Sequence, residues 1–445
     1  MHNGHLPSGW KIQRLDQIST IIDSLHKTPS YVPCGYPMIR VTDVKGGFLD
    51  TSNTLRVSQE VFAEFTKRYA PRKGDIVLSR VGTYGRASYV ATEEPICLGQ
   101  NTVVISPSLN SRFVHLCLES ALLTSQIEKA VVGSTQKTIS LKNICSLKVP
   151  LPPDSELEAI AHILGTLDDK IELNRQMNQT LEAMAQALFR SWFVDLDPVR
   201  AMSEGRQPVG MDAQTAALFP DSFEDSALGP IPKGWEVTDI GTEVEFLTGY
   251  AFKSKHFSES PLGVRLARGD NVKEGSFHWE SKTRFWTLGT KEYERYFLKS
   301  GDVLIGMDGS KVGKNWVRVR ECDLPCLLVQ RVARLRQSSA IGPGFLWLLI
   351  SHPGFRQYVE AVKTGTSIPH ISGKQIKEFP FSRPPARDDC LFHKFKQQVA
   401  AFLKQQDAND MQNQTLSGLR DALLPKLLSG EIRVKDAETF VEKST

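Results

Sequence analysis

The 445-residue sequence has no cysteine framework, no membrane-length apolar run and no catalytic signature, and each gap removes a class of function. Its seven cysteines (Cys34, Cys97, Cys117, Cys145, Cys322, Cys326 and Cys390) form an odd set without paired spacing. That argues against a disulfide scaffold and fits a reducing compartment. Cys322 and Cys326 stand close together, but with no second pair and no histidines at ligand spacing they read as strand-flanking thiols rather than zinc ligands. No run of about 18 uncharged apolar residues occurs, nor a charged-then-apolar leader, so the sequence predicts no membrane span and a cytoplasmic protein.

Catalytic motifs are equally scarce. Gly309-Ser-Lys-Val-Gly-Lys314 is one residue short of a phosphate-cradling loop, and Asn315 stands where a magnesium-holding Ser or Thr belongs. An amino-methyltransferase holds its target amine with an acid or amide, two prolines and an aromatic; Leu151-Pro-Pro-Asp154 and Arg383-Pro-Pro-Ala386 have neither end right. Pro220-Asp221 lacks the Glu-x-Lys of a metal-dependent nuclease, and the ten histidines show no metal spacing. No catalytic residue and no metal ligand is assigned.

What the chain does contain is a repeat. Leu6-Pro-Ser-Gly-Trp10 returns as Ile231-Pro-Lys-Gly-Trp235, Gly74-Asp-Ile-Val77 as Gly301-Asp-Val-Leu304, and Asn178-Gln-Thr-Leu181 as Asn413-Gln-Thr-Leu416. The offset drifts from 225 to 235, as two diverged copies with small insertions would give. Length agrees with two globular blocks plus connecting helices. The boundaries read from sequence are 1–153 for the first block, 154–192 for a spacer helix, 193–227 for a linker with at most one short helix, 228–385 for the second block, 386–430 for a second spacer helix and 431–445 for a tail.

Charge follows this division. The overall +4 hides +6 over residues 1–153, −9 over 154–227, +7 over 228–385 and balance over 386–445. Basic charge concentrated in the blocks and absent from the helices between them fits blocks that face a polyanion and helices that face protein, although mildly basic domains arise for other reasons too. Each block reads as short strands: Ile39-Arg-Val41, Asp75–Leu78, Ala87–Val90 and Thr102–Ile105 in the first. One helix then follows in each, over Phe113–Val132 and over Phe345–Val362.

After each block comes a heptad seam. Leu164, Leu167, Ile171, Asn174, Asn178, Leu181, Ala185, Leu188 and Trp192 step alternately by three and four; the second copy gives Val399, Phe402, Gln406, Asn409, Asn413, Leu416, Arg420, Leu423 and Leu427. Both seams carry asparagines at the same two positions. Matched amides fix register, because a slipped alignment buries an unpaired amide at a cost of about 1–3 kcal/mol. The spacing predicts two helices of roughly 35–40 residues, about 50–60 Å long, paired with each other and most simply antiparallel. Amphipathic helices folded onto their own domains would show part of the same pattern. Pro425 is expected to kink or end the second helix and Gly430 to cap it.

The blocks also share a loop. Gly74-Asp-Ile-Val-Leu-Ser-Arg-Val-Gly-Thr-Tyr-Gly-Arg86 corresponds to Gly301-Asp-Val-Leu-Ile-Gly-Met-Asp-Gly-Ser-Lys-Val-Gly-Lys314: a strand, a glycine turn, then a cation. As a DNA reader, such a loop would use Arg80, Arg86, Lys311 and Lys314 on phosphate or guanine, with Thr83, Tyr84 and Asn315 beside them. Arg40, Arg268 and Lys137, the last from the Gly133–Lys137 loop, complete the candidate set. A solvated hairpin with surface charge explains the loop equally well.

Taken in order and duplicated, these segments resemble the DNA specificity subunit of type I restriction-modification systems. The likeness rests on Leu-Pro-x-Gly-Trp, Gly-Asp-Ile-Val-Leu-Ser-Arg-x-Gly-Thr, Ile-Ser-Leu-Lys-Asn-Ile with Val-Pro-Leu-Pro-Pro, and the helix Ile160–Asn174. Arg80 is not carried into the second copy, where Met307 stands. The resemblance implies an α+β fold with two pseudo-symmetric α/β target-recognition domains joined by two long helices paired as an antiparallel coiled coil. It further implies a non-catalytic subunit that reads both halves of a bipartite site in double-stranded DNA. Two modification (methyltransferase) subunits and restriction subunits are the implied partners, carrying the S-adenosylmethionine, ATP and Mg. A protein-binding scaffold with paired domains, or a self-contained DNA-modifying enzyme, are the alternative readings.

Overall fold

The computed structural model describes residues 7–133, 137–279, 282–337, 341–365, 367–385 and 390–442. Leu6 of the first turn motif, residues 134–136 of the Gly133–Lys137 loop and Thr366 of its counterpart lie outside them. The chain forms two compact units, residues 1–174 with 412–445, and residues 175–411. Both boundaries fall inside the long helices, so each unit holds one block and a stretch of both helices.

The same architecture is built in each. In the first unit Ser19–Asp23, Thr102–Pro107, Ile76–Ser79 and Ala87–Tyr89 form a four-stranded antiparallel sheet in that order. In the second, Val244–Thr248, Val332–Gln337, Val303–Gly306 and Trp316–Arg318 do the same. Register repeats as well: Ile76 faces Tyr89 and Ile105, while Val303 faces Arg318 and Leu335. A smaller sheet flanks each, centred on Tyr36–Ile39 or on Val264–Ala267, with a parallel pairing to Cys97–Leu98 or Cys326–Leu328. Fully buried β-branched and leucine side chains fill the central strands, as both-face burial requires.

Local chemistry shifts several expected bounds. The strand expected to include Arg40 and Val41 ends at Ile39, because Asp43 accepts from the Arg40 backbone N–H at 2.9 Å and closes a short helical turn over Val41–Asp43. Each expected block helix is two: Ser111–Glu119 and Ala121–Ala130, Gly342–Ser351 and Pro353–Val362. The breaks fall where Ser120 accepts from Leu123 N–H, and where Pro353 stops the first helix and starts the second. Residues 193–227 are not a bare linker. They carry helices Asp197–Ser203 and Ala213–Ala216 and the hairpin Phe223–Ser226 with Gly229–Pro232. Phe193, Val199 and Phe219 are buried in the core of the second unit, which anchors the segment.

The first long helix runs over Asp154–Phe189 and the second over Cys390–Ser429. Pro425 does not end the latter: it lies on an exposed face, where water can take the carbonyl it leaves unbonded, and the helix stops only before Gly430 at φ +71°. The helices pair antiparallel in both units. In the first, Asp168 meets Arg420 at 2.9 Å and Asn174 meets Asn413 at 2.9 Å. In the second, Asn178 meets Asn409 at 2.8 Å, and the Phe193 ring lies stacked 5.7 Å from Phe392. Leu164, Leu167, Val399, Leu416 and Leu423 are buried along this seam, whereas Ile171, Leu181, Leu188 and Phe402 are half-buried.

Candidate nucleic-acid interface

At one end of each four-stranded sheet two loops meet. One is the glycine turn that follows the strand of the shared loop, Ile76–Ser79 or Val303–Gly306; the other precedes the neighbouring strand, Thr102–Pro107 or Val332–Gln337. In the second unit Met307 N–H donates to the Arg331 carbonyl at 2.9 Å, and in the first Arg80 N–H donates to the Asn101 carbonyl at 2.8 Å. Arg331 and Asn101 both sit in left-handed backbone, at φ +69° and +63°. Their neighbours Gln330 and Gln100 correspond as well, so Gln-Arg and Gln-Asn occupy one place in the repeat.

In the second unit this place opens into a 600 Å³ cleft. Three of the sequence-predicted residues line it, Arg268, Lys311 and Asn315, joined by Lys273 and Arg331. Against these four cations the lining sets two carboxylates, Asp270 and Asp308. Arg268 contacts Asp270 at 3.1 Å, and Arg331 contacts Asp308 at 3.6 Å with its own side chain 69% exposed. Such solvated pairs are worth about 0–1 kcal/mol, so an incoming phosphate displaces them at little cost. A Cβ added at Gly309 or Gly269 would meet only open space, which leaves the backbone there open to a large partner. Lys314 is not part of the lining.

The first unit does not gather its predicted residues into one cleft. Arg80 is turned inward: Nη1 donates to both oxygens of Asp23 at 2.7 Å and Nε to the Ile139 carbonyl at 3.2 Å, leaving the side chain 14% exposed. The contacts that Arg80 makes here are internal to the unit. Arg40 is held by Asp43 through two bonds of 3.0 Å, the stronger reason its pKa rises. Lys137 lies 6.0 Å from the Tyr84 ring centroid, and Thr83 is exposed at the turn. Arg86 lines a separate polar cleft with Glu119, Glu128 and Arg420, where signs are mixed.

Part of the basic surplus of the blocks also has an internal use. Arg112 donates to Asp169 at 2.6 Å and to the Gly165 carbonyl at 2.9 Å in the first unit. In the second, Arg318 meets Asp407 at 3.2 Å and Arg320 meets Asp410 at 2.6 Å. Block arginines therefore clamp carboxylates of the long helices, and the charge asymmetry reflects docking as well as any polyanion. Sequence reasoning missed Lys273, Gln100, Asn101, Gln330 and Arg331. The signal available was the glutamine dipeptide repeated at an offset of 230.

Residues 7–183 match the type I restriction modification DNA specificity domain. The specificity subunit of the HindI type I restriction enzyme of Haemophilus influenzae is 25% identical over 411 residues, covering 82% of this chain and 87% of the relative. That of the MjaIX enzyme of Methanocaldococcus jannaschii is 23% identical, covering 97% and 96%. The crystal structure of a type I restriction-modification S subunit from M. genitalium shares the fold, with a TM-score of 0.54 at 15% identity over 96% of this chain and 97% of that one. The family domain matched over the first copy, the second copy built to the same topology and relatives aligned across both copies make the chain similar along its length to type I restriction-modification DNA specificity subunits.

Proposed function

We propose that this chain supplies the sequence choice of a type I restriction-modification complex by reading a bipartite site, one half with each unit. The observation that carries the reading is the repeated junction of glycine turn and glutamine dipeptide at the same end of both sheets, opening in the second unit into a cleft with four cations and two carboxylates. Phosphate contacts would set position there and base-edge contacts would set preference. The paired helices would hold the gap between half-sites and dock two modification subunits, whose S-adenosylmethionine supplies the methyl group; restriction subunits with ATP and Mg would add cleavage. This chain's part is recognition rather than chemistry.

The test is methylation mapping of genomic DNA when the chain is co-expressed with its cognate methyltransferase. A split motif with a constant gap is expected. Replacing residues 1–153 with the same block of a relative should change one half of that motif; a continuous motif, or one untouched by the swap, would end the reading. Methyl transfer by the purified chain alone would reassign the chemistry to it.

A further inference from the structure

We infer that Arg331 and Asn101 are equivalent purine-reading residues, Arg331 taking a guanine in the half-site of the second unit and Asn101 an adenine in that of the first. This rests on the bipartite reading above and names the specificity contacts within it. Left-handed backbone is uncommon outside glycine; asparagine adopts it more readily than most side chains, and a bulky side chain such as arginine rarely does. Among the described residues three non-glycine positions adopt it, and two of them are these two, at the same point of the repeat. Each is clamped by its carbonyl to the residue that starts the glycine turn, Met307 or Arg80. The fold thus holds the position fixed while allowing the side chain to differ between copies, as a reading position requires.

The side chains match that role. Arg331 is 69% exposed at the cleft, with one weak partner, Asp308 at 3.6 Å, so packing does not account for its conformation. The Asn101 amide makes no hydrogen bond among the described residues. Arginine presents two parallel donors that fit guanine O6 and N7, and asparagine presents the donor and acceptor that fit adenine N7 and N6. The surrounding cations Arg268, Lys273 and Lys311 would hold the phosphates that bring a base edge to Arg331.

Glycine is the informative replacement, because it removes the side chain while favouring the left-handed backbone. The full chain carrying Arg331→Gly or Asn101→Gly is co-expressed with the cognate methyltransferase, and genomic methylation is mapped. Arg331→Gly should make one guanine position degenerate in one half-site, with methylation of the original sites falling about tenfold or more. Asn101→Gly should do the same to one adenine position in the other half-site. Uniformly weaker methylation with an unchanged motif would make these residues phosphate contacts and overturn the proposal, as would wild-type methylation. A wild-type complex that yields no split motif would instead defeat the bipartite reading beneath it. Soluble yield and melting temperature of each variant complex separate lost reading from lost folding.

Discussion

Arg80 and Asp23 form a two-bond ion pair, both bonds 2.7 Å long, at positions that are Met307 and Thr248 in the second copy. The equivalence follows from register: Asp23 faces Val103 in the first sheet as Thr248 faces Ala333 in the second. The two partners are present together or absent together, so neither copy strands a half-buried charge. Arg80→Met alone should therefore destabilise the chain by about 1.5–3 kcal/mol, since it leaves the Asp23 carboxylate without its charged donor. Adding Asp23→Thr, which reproduces the second copy, should recover more than half of that loss in urea denaturation. Additive losses would show that the two residues act independently.

The seam asparagines predict a similar asymmetry. Asn409 donates to Asn178 Oδ1 at 2.8 Å, Asn178 donates to Asp410 at 2.9 Å, and Gln406 donates to the Asn178 carbonyl at 3.0 Å. Asn409→Leu leaves the Asn178 acceptor facing an apolar side chain and should cost about 1–3 kcal/mol. Asn409→Leu combined with Asn178→Leu should regain stability but lose register, giving mixed oligomers in sedimentation. A double variant that stays a single species would remove the registry role from these amides.

The parts legible in the sequence were those fixed by local periodicity. The heptad steps, the strand Thr102–Pro107 and the glycine turns depend on neighbours along the chain, and the composition of those neighbours shows it. The packing of residues 193–227 was not legible, because its anchors Phe193, Val199 and Phe219 follow no period and join a core with residues far away in sequence, Phe193 packing on the rings of Phe345 and Phe392. The Arg80 ion pair was hidden for the same reason. An arginine beside a glycine turn looks free until the fold brings Asp23 to it. Arg331 was hidden because its distinguishing feature is a backbone angle, which no composition signal reports.

His352 ties one helix to pH. Its Nδ1 accepts from Gly354 N–H at 3.1 Å at the start of helix Pro353–Val362, which only the neutral ring can do. Burial, and then the nearby Arg190, lower its pKa below the usual value of 6.5. A folded-state pKa below the unfolded one means that the unfolded chain binds the proton more readily. The contribution is therefore present above about pH 6.5 and is lost as pH falls toward the folded pKa. His352→Asn, which keeps a cap acceptor, should flatten that acid-side loss in denaturation midpoints between about pH 7.5 and 5.5, while His352→Ala should cost about 1 kcal/mol at neutral pH. An unchanged acid slope in the asparagine variant would assign it to other groups.

Cations facing the cleft and cations clamping the helices should separate by salt dependence. Lys311 and Lys273 line the cleft, where each phosphate they neutralise releases a counterion. Lys311→Ala and Lys273→Ala in the assembled methyltransferase complex should each weaken DNA binding across sequences and reduce the slope of log affinity against log salt by about one. Arg112 instead bonds Asp169 and the Gly165 carbonyl and lies 4.6 Å from the centroid of the Phe48 ring. Arg112→Ala should lower the melting temperature and leave the salt slope unchanged. Equal slopes for all three variants would mean that the cleft cations do not meet phosphate, and that the charge surplus of the second block serves the protein's own helices.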